Sequence, residues 1–126
     1  MTSDAFRKAA EAKDFSAADE LFSEEPRFVS PAVFKPYEGR EAMRAVLGAV
    51  VQIFEDFRYT DQIEDGDTAI LIFEARVGDR ELNGVDILRF DADGRIRELI
   101  VMIRPLSALN AVVEGMAEKL GIATEQ

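Results

Sequence analysis

Asp86 is the residue of this chain whose type and position most directly suggest chemistry. In the stretch Leu82–Phe90 alternate side chains fall on opposite faces of a strand. One face carries Leu82, Gly84, Asp86, Leu88 and Phe90, and the other carries Asn83, Val85, Ile87 and Arg89. A carboxyl group set between a glycine and a leucine on an apolar face, once buried, is pushed toward its neutral form and can donate a hydrogen bond. The same carboxyl can instead pair with Arg76 or Arg104, or reach water near a sheet edge, and the sequence leaves both readings open. Arg104, directly before Pro105, is a candidate anchor for an anionic ligand group. Tyr37 and Tyr59 are the only phenols, so they are the other candidate hydrogen-bond donors to a ligand.

The absences narrow the chemistry further. With no Cys and no His, thiolate nucleophiles, Ser-His and Cys-His triads, zinc ribbons and His-based metal sites are excluded. Proton transfer must run on Asp, Glu, Tyr or Lys. Asp91-Ala92-Asp93-Gly94 resembles the start of a calcium loop, but its glycine comes too early and the later oxygen ligands are missing, so it reads as a hairpin turn. No Gly-rich phosphate loop is present, and neither a metal nor a cofactor is expected. Lys and Arg total 15 against 25 Asp and Glu, a formal net charge of −10, which repels nucleic acid and anionic membrane surfaces as partners. The N-terminal MTSDAFRKAA has no apolar signal core, and no apolar run approaches the ~18 residues of a membrane span. A cytoplasmic protein of one domain, residues 1–126, is expected.

Elements that position these residues follow from periodicity. Residues 2–13 read as a short helix with Ala5, Phe6, Ala9 and Ala10 as its apolar stripe. A second short helix starts near Ser16, its buried face made by Ala18, Leu21 and Phe22. Pro26 ends helical structure, and Arg27–Ser30 forms a short strand. The loop 31–39 holds Pro31, Val33, Phe34, Pro36 and Tyr37, and its two aromatics are expected to cover something apolar. Arg40–Phe54 is the strongest helix, with Met43, Val46, Leu47, Val50, Val51 and Phe54 spaced by three and four. From residue 55 the period becomes two. Turn signals at Glu64–Asp67, Gly78-Asp79 and Asp91–Gly94 divide the rest into an antiparallel meander, with Phe57, Tyr59, Asp61 and Ile63 on one face of its first strand. The unbroken apolar run Leu99–Ile103 predicts a last strand covered on both faces. Ser107 can cap a final helix whose stripe is Leu106, Leu109, Val113, Met116 and Leu120, stopped by Gly121. The order is ααβ-α-ββββ-α, an α+β chain with its helices on one face of a curved sheet.

That order, together with Arg27-Phe28-Val29-Ser30-Pro31, Tyr37-Glu38-Gly39-Arg40-Glu41-Ala42, Val85-Asp86-Ile87-Leu88-Arg89-Phe90 and Asp93-Gly94-Arg95-Ile96, resembles the nuclear-transport-factor-2-like superfamily. The likeness is closest to its SnoaL-like and ketosteroid-isomerase-like branch. It implies a cone-shaped, cystatin-like fold, in which a strongly curved and mainly antiparallel sheet wraps the N-terminal helices and a central helix around a deep apolar cavity. It also implies a homodimer through the outer face of the sheet. In ketosteroid isomerase a first-helix tyrosine and a protonated aspartic acid donate to the steroid oxyanion, while a second aspartate shuttles the proton. By motif position Asp86 resembles the donating acid, Ser30 stands where the shuttling aspartate would be, and Phe6 stands where the tyrosine would be. The epoxide-hydrolase branch calls for an Asp-Arg-Asp set, of which Glu74 and Arg76 give a partial echo and Leu99–Ile103 lacks the second acid.

The expectation is therefore a cavity with one acid donor, Asp86, serving an apolar, cyclic small-molecule ligand. The residues expected to line it are Phe6, Phe28, Ser30, Phe34, Tyr37, Phe54, Tyr59, Met102 and Arg104. Binding alone and catalysis by an isomerase or cyclase both remain open, as does a protein-interaction or carrier module on the same fold.

Overall fold

The computed structural model describes residues 1–121. The chain runs α1 (Asp4–Glu11), α2 (Ala18–Leu21), β1 (Phe22–Val29), β2 (Tyr37–Glu38), α3 (Arg40–Ile53), β3 (Glu55–Asp65), β4 (Thr68–Val77), β5 (Arg80–Phe90), β6 (Ile96–Arg104) and α4 (Leu106–Leu120). The six strands form one curved sheet in the order β2-β1-β6-β5-β4-β3, antiparallel except for the β1–β6 pair. The helices pack on its concave face, and their buried side chains meet Leu71, Phe73, Leu82, Leu88 and Leu99 in one core.

The meander from β3 to β6 is where period-two patterning is cleanest. Gly66 and Gly78 adopt φ values of +62° and +63°, which the two tight hairpins require and a side chain would resist. The third turn is closed by the Asp91 carboxylate, which accepts the Asp93 and Arg95 amides at 2.9 and 3.0 Å. That side chain is spent on its own turn, as the hairpin reading requires.

Besides the two-residue β2, which pairs with β1 inside the stretch 31–39 expected as loop, four elements depart from the sequence-based expectation, each for a local reason. Pro26 does not precede the first strand but lies within it, because β1 shifts register against β6 between Phe22 and Arg27 and the proline occupies that irregularity. The second helix is accordingly a single turn that Ser16 does not cap, and Phe22 is its C-terminal neighbour in the strand. On β3 the expected face of Phe57, Tyr59, Asp61 and Ile63 breaks in two. A register shift between Tyr59 and Asp61 inserts an extra residue, so Phe57 and Tyr59 point inward while Ile63 is 56% exposed. Beyond it Gln62 and Glu64 face the start of α1, where Glu64 accepts the Thr2 and Ser3 amides at 3.3 and 2.7 Å and anchors the helix to the sheet. Finally, α4 is capped by Pro105 rather than Ser107, the Pro105 carbonyl accepting the Ala108 and Leu109 amides, and Leu106 is exposed.

Candidate functional site

The concave face of the sheet and helices α1, α3 and α4 enclose a cavity of about 280 Å³. Its wall is almost entirely apolar. Phe6 and Ala10 come from α1, Val46, Leu47 and Val50 from α3, and Leu109, Val113, Met116 and Leu120 from α4. The α4 stripe read from the sequence, apart from Leu106, therefore faces this space.

Asp86 lies on the sheet side of the cavity, 7% exposed, in the inward row formed by Leu71 on β4, Asp86 on β5 and Val101 on β6. Neither Arg76 nor Arg104 reaches it. Arg76 pairs with Asp56 at 2.7 Å and Glu55 at 3.1 Å, and Arg104 donates to Asn83 Oδ1 at 2.8 Å. The Asp86 partner is Tyr59, whose hydroxyl donates to Oδ2 at 2.7 Å. Burial pushes the carboxyl up from 3.8 to about 7, and the Tyr59 hydrogen bond only partly opposes that shift. Burial and the adjacent Asp86 charge push the Tyr59 phenol far above its ordinary value, so it stays a donor at any physiological pH. The pair can thus present a neutral acid whose second oxygen is free to donate into the cavity.

Aromatic rings frame this pair. Phe57 meets Tyr59 edge-on at 4.9 Å and Phe73 at 5.1 Å, and Phe54 stacks on Phe57 at 5.9 Å. Phe73 can lie there because its cross-strand neighbour is Gly84. A Cβ at position 84 would stand 2.1 Å from the end of the Phe73 ring. The glycine two residues before Asp86 therefore leaves room for the Phe73 ring, which packs edge-on against Tyr59 at 6.1 Å.

Of the residues expected around the cavity, Phe6, Phe28, Ser30, Tyr37, Phe54 and Tyr59 line it with Asp86. Phe28 and Tyr37 pack together at 6.1 Å, and Ser30 accepts the Ala32 amide at 2.9 Å, which holds the loop Pro31–Val33 at the cavity wall. Three residues are placed elsewhere. Phe34 is fully exposed, because Val33 rather than its neighbour turns toward the cavity. Met102 and Arg104 project from the outer face, since β6 alternates and Val101 and Ile103 take the inward positions. Among the described residues nothing covers the outer face of β6 at Met102, which is 55% exposed, so the expected cover over both faces is not found there. Sequence reasoning missed Phe57, Phe73 and Lys13 as wall residues. A phenylalanine directly across from a strand glycine was the available signal for Phe73. Among the described residues no group of three or more Asp or Glu is arranged to hold a metal ion.

A curved sheet of this order closing over helices around an apolar cavity is the cystatin-like, or nuclear-transport-factor-2-like, architecture. Residues 4–99 match the SnoaL-like domain family, and the chain belongs to it. It is similar in structure to a steroid delta-isomerase from Pseudomonas aeruginosa, with 40% identity, a TM-score of 0.91, and coverage of 95% of this chain and 89% of that one. A bacterial protein with a cystatin-like fold from Silicibacter pomeroyi is 30% identical, covering 94% of this chain and 84% of that one at a TM-score of 0.89. A nuclear-transport-factor-2-like protein from Mesorhizobium loti shares the fold at 22% identity and a TM-score of 0.74, covering 82% of this chain and 88% of that one. None of the curated proteins compared with the chain matches it. No helix among the described residues is long and apolar enough to cross a membrane.

Proposed function

We propose that this protein is a cytoplasmic SnoaL-like small-molecule-binding protein that takes an apolar, cyclic ligand into its cavity and hydrogen-bonds a carbonyl, enol or phenol oxygen through Asp86. The observation that carries this reading is the Asp86 carboxyl, buried against an apolar wall and held on one oxygen by Tyr59. In its neutral form Asp86 donates to the ligand oxygen. As enolate character develops there, that hydrogen bond becomes charge-assisted and strengthens, which is the requirement for lowering a barrier to enolisation. The enzymatic form of the reading is thus an isomerase or cyclase acting on an enolisable cyclic substrate. Among the described residues Asp86 is the one carboxyl that lines the cavity, and Ser30 has no basic partner there, so in this reading the substrate or a water supplies the base. The 40% identity to a steroid delta-isomerase supports the isomerase form. The same lack of a second carboxylate supports a carrier that binds without turnover.

A thermal-shift screen over cyclic enones, polycyclic phenols and terpenoid epoxides, run on wild type and Asp86→Asn, tests both forms. A ligand at one hundred times its dissociation constant adds about 2.7 kcal/mol, a rise of roughly 8 to 15 °C for a chain of this size. The Asn variant is expected to keep the fold and to lose about 100-fold or more in turnover of any substrate found. Turnover unaffected by Asp86→Asn removes the catalytic form, and silence across the whole panel favours the interaction module. The partner we assign at the protein level is a second copy of this chain, docked on the outer face of the sheet.

A further inference from the structure

Helix α1 presents Phe6 and Ala10 to the cavity, and Lys13, two residues past the end of the helix, lines the same space. Phe6 and Ala10 are buried and Lys13 is exposed, so Lys13 is the solvent-facing member of the three. Among the described residues Lys13 is the one cation that lines the cavity, as Asp86 is the one carboxyl.

The backbone holds Lys13 in an unusual way. Its φ is +57°, and the Asp14 amide reaches the Ala9 carbonyl at 2.9 Å while its own amide reaches Ala10 at 3.1 Å. That is the left-handed residue of a helix-ending motif in which glycine is the usual occupant. The side chain there donates from Nζ to the Phe54 carbonyl, at the end of α3, at 2.9 Å. An ammonium has three donors, so two remain. The nearby carboxylates are engaged elsewhere: Glu11 with Arg7 at 3.2 Å, and Asp14 with the Ser16 amide at 2.9 Å. Among the described residues no carboxylate lies within ion-pair distance of Lys13.

The geometry points to Lys13 as the anchor for a carboxylate carried by the ligand. The ligand class becomes an apolar ring system with an oxygen acceptor at one end, for Asp86, and an organic carboxylate at the other. The Arg7 guanidinium carbon sits 5.7 Å from the Tyr59 ring centroid, so α1 packs beside the Tyr59–Asp86 pair. Asp86 is buried on the sheet and Lys13 is exposed beyond the end of α1, and the wall they share is otherwise largely apolar. This inference rests on the reading of the cavity as a ligand pocket and narrows what that pocket takes.

The test uses two rigid probes, a hydroxynaphthoate with hydroxyl and carboxylate at opposite ends of the rings, and its methyl ester, titrated by fluorescence into wild type, Lys13→Met and Lys13→Arg. Wild type is expected to bind the acid about three- to tenfold tighter than the ester, the range for a partly exposed charged hydrogen bond. Lys13→Met is expected to lose that preference, the loss falling on the acid more than on the ester, and Lys13→Arg to retain it. Lys13→Gly, which suits the left-handed backbone, serves as the folded control if the Met variant is unstable, and is expected to lose the preference too. An acid preference that survives in Lys13→Met, or a loss that falls equally on acid and ester, overturns the assignment. Ester binding without any acid preference in wild type overturns Lys13 and leaves the pocket standing. If neither probe binds wild type, the pocket reading falls with it.

Discussion

The two faces of β5 carry opposite anomalies. On the concave face Leu82, Gly84, Leu88 and Phe90 are buried around a single carboxyl, Asp86. On the convex face the rows Ile70–Ile87–Ile100 and Ile72–Val85–Met102 leave apolar side chains half-buried or exposed, flanked by the polar rows Glu74–Asn83–Arg104 and Thr68–Arg89–Glu98. A polar group in a dry place and apolar groups in a wet place are the two departures from ordinary burial that carry information. The first points to a ligand and the second to a protein surface, and one strand supplies both because its side chains alternate.

The largest expected effect breaks the comparison on its dry side. The unfolded chain releases the Asp86 proton near 3.8, whereas burial holds it to about 7 in the fold. Between those values the native state binds more protons than the unfolded state, so wild-type stability falls as pH rises through that window and levels off above it. The full span is on the order of 4 kcal/mol. Asp86→Asn has no such proton to lose. Urea unfolding of both proteins at several pH values is expected to give curves that diverge across the window, the Asn variant gaining on wild type as pH rises. Parallel curves mean that Asp86 titrates as it does in water and that the concave face is wet there.

Why one half of this contrast was legible and the other was not follows from what period-two patterning can encode. β4 and β5 alternate cleanly between tight glycine turns, so the inward position of Asp86 and the order of the meander could be read directly. In β6 the apolar run Leu99–Ile103 has no alternation to mark its faces, and Met102 and Arg104 were assigned inward when the register puts them out. The Tyr59–Asp86 bond was hidden for a different reason. It joins residues 27 apart, across strands whose register slips just past Tyr59. Lys13 was hidden too, because its left-handed backbone is set by how α1 ends against α3, and nothing in the local residue types announces it. Phe34 and Tyr37 lie three residues apart in one Pro-containing stretch, and composition alone does not say which of them turns inward.

A smaller effect sharpens the contrast at neighbouring residues of one strand. Gly84→Ala puts a methyl where the Phe73 ring stands, and that ring is wedged among Phe54, Phe57 and Tyr59. It has no free end to swing away, so the expected loss is about 1–3 kcal/mol. Val85→Ala, one residue along and facing out, is expected to cost under about 1 kcal/mol. Chemical denaturation of the two variants reads the difference, and equal losses mean that Phe73 relaxes without resistance and that the concave wall is loosely packed.

The smallest effect on the fold itself comes from the wet side. Met102→Lys places a charge on a side chain that already stands mostly in solvent, so the stability of the isolated chain should move by no more than about 0.5 kcal/mol. Its consequence lies between copies. Two apolar rows across three strands, bordered by Arg89 and Glu98 on one side and Arg104 and Glu74 on the other, form a patch that can face itself with opposite charges aligned. In a two-fold dimer each added lysine faces the same patch on its partner, so one substitution puts two unpaired charges into one interface. Sedimentation is expected to give a dimer for wild type and a shift toward monomer for Met102→Lys, with the far-ultraviolet spectrum unchanged. A monomeric wild type removes the second copy and leaves the half-buried isoleucines and Met102 to some other partner. A variant that stays dimeric moves the interface off these rows, and the convex face then loses its claim to be the counterpart of the acid on the other side.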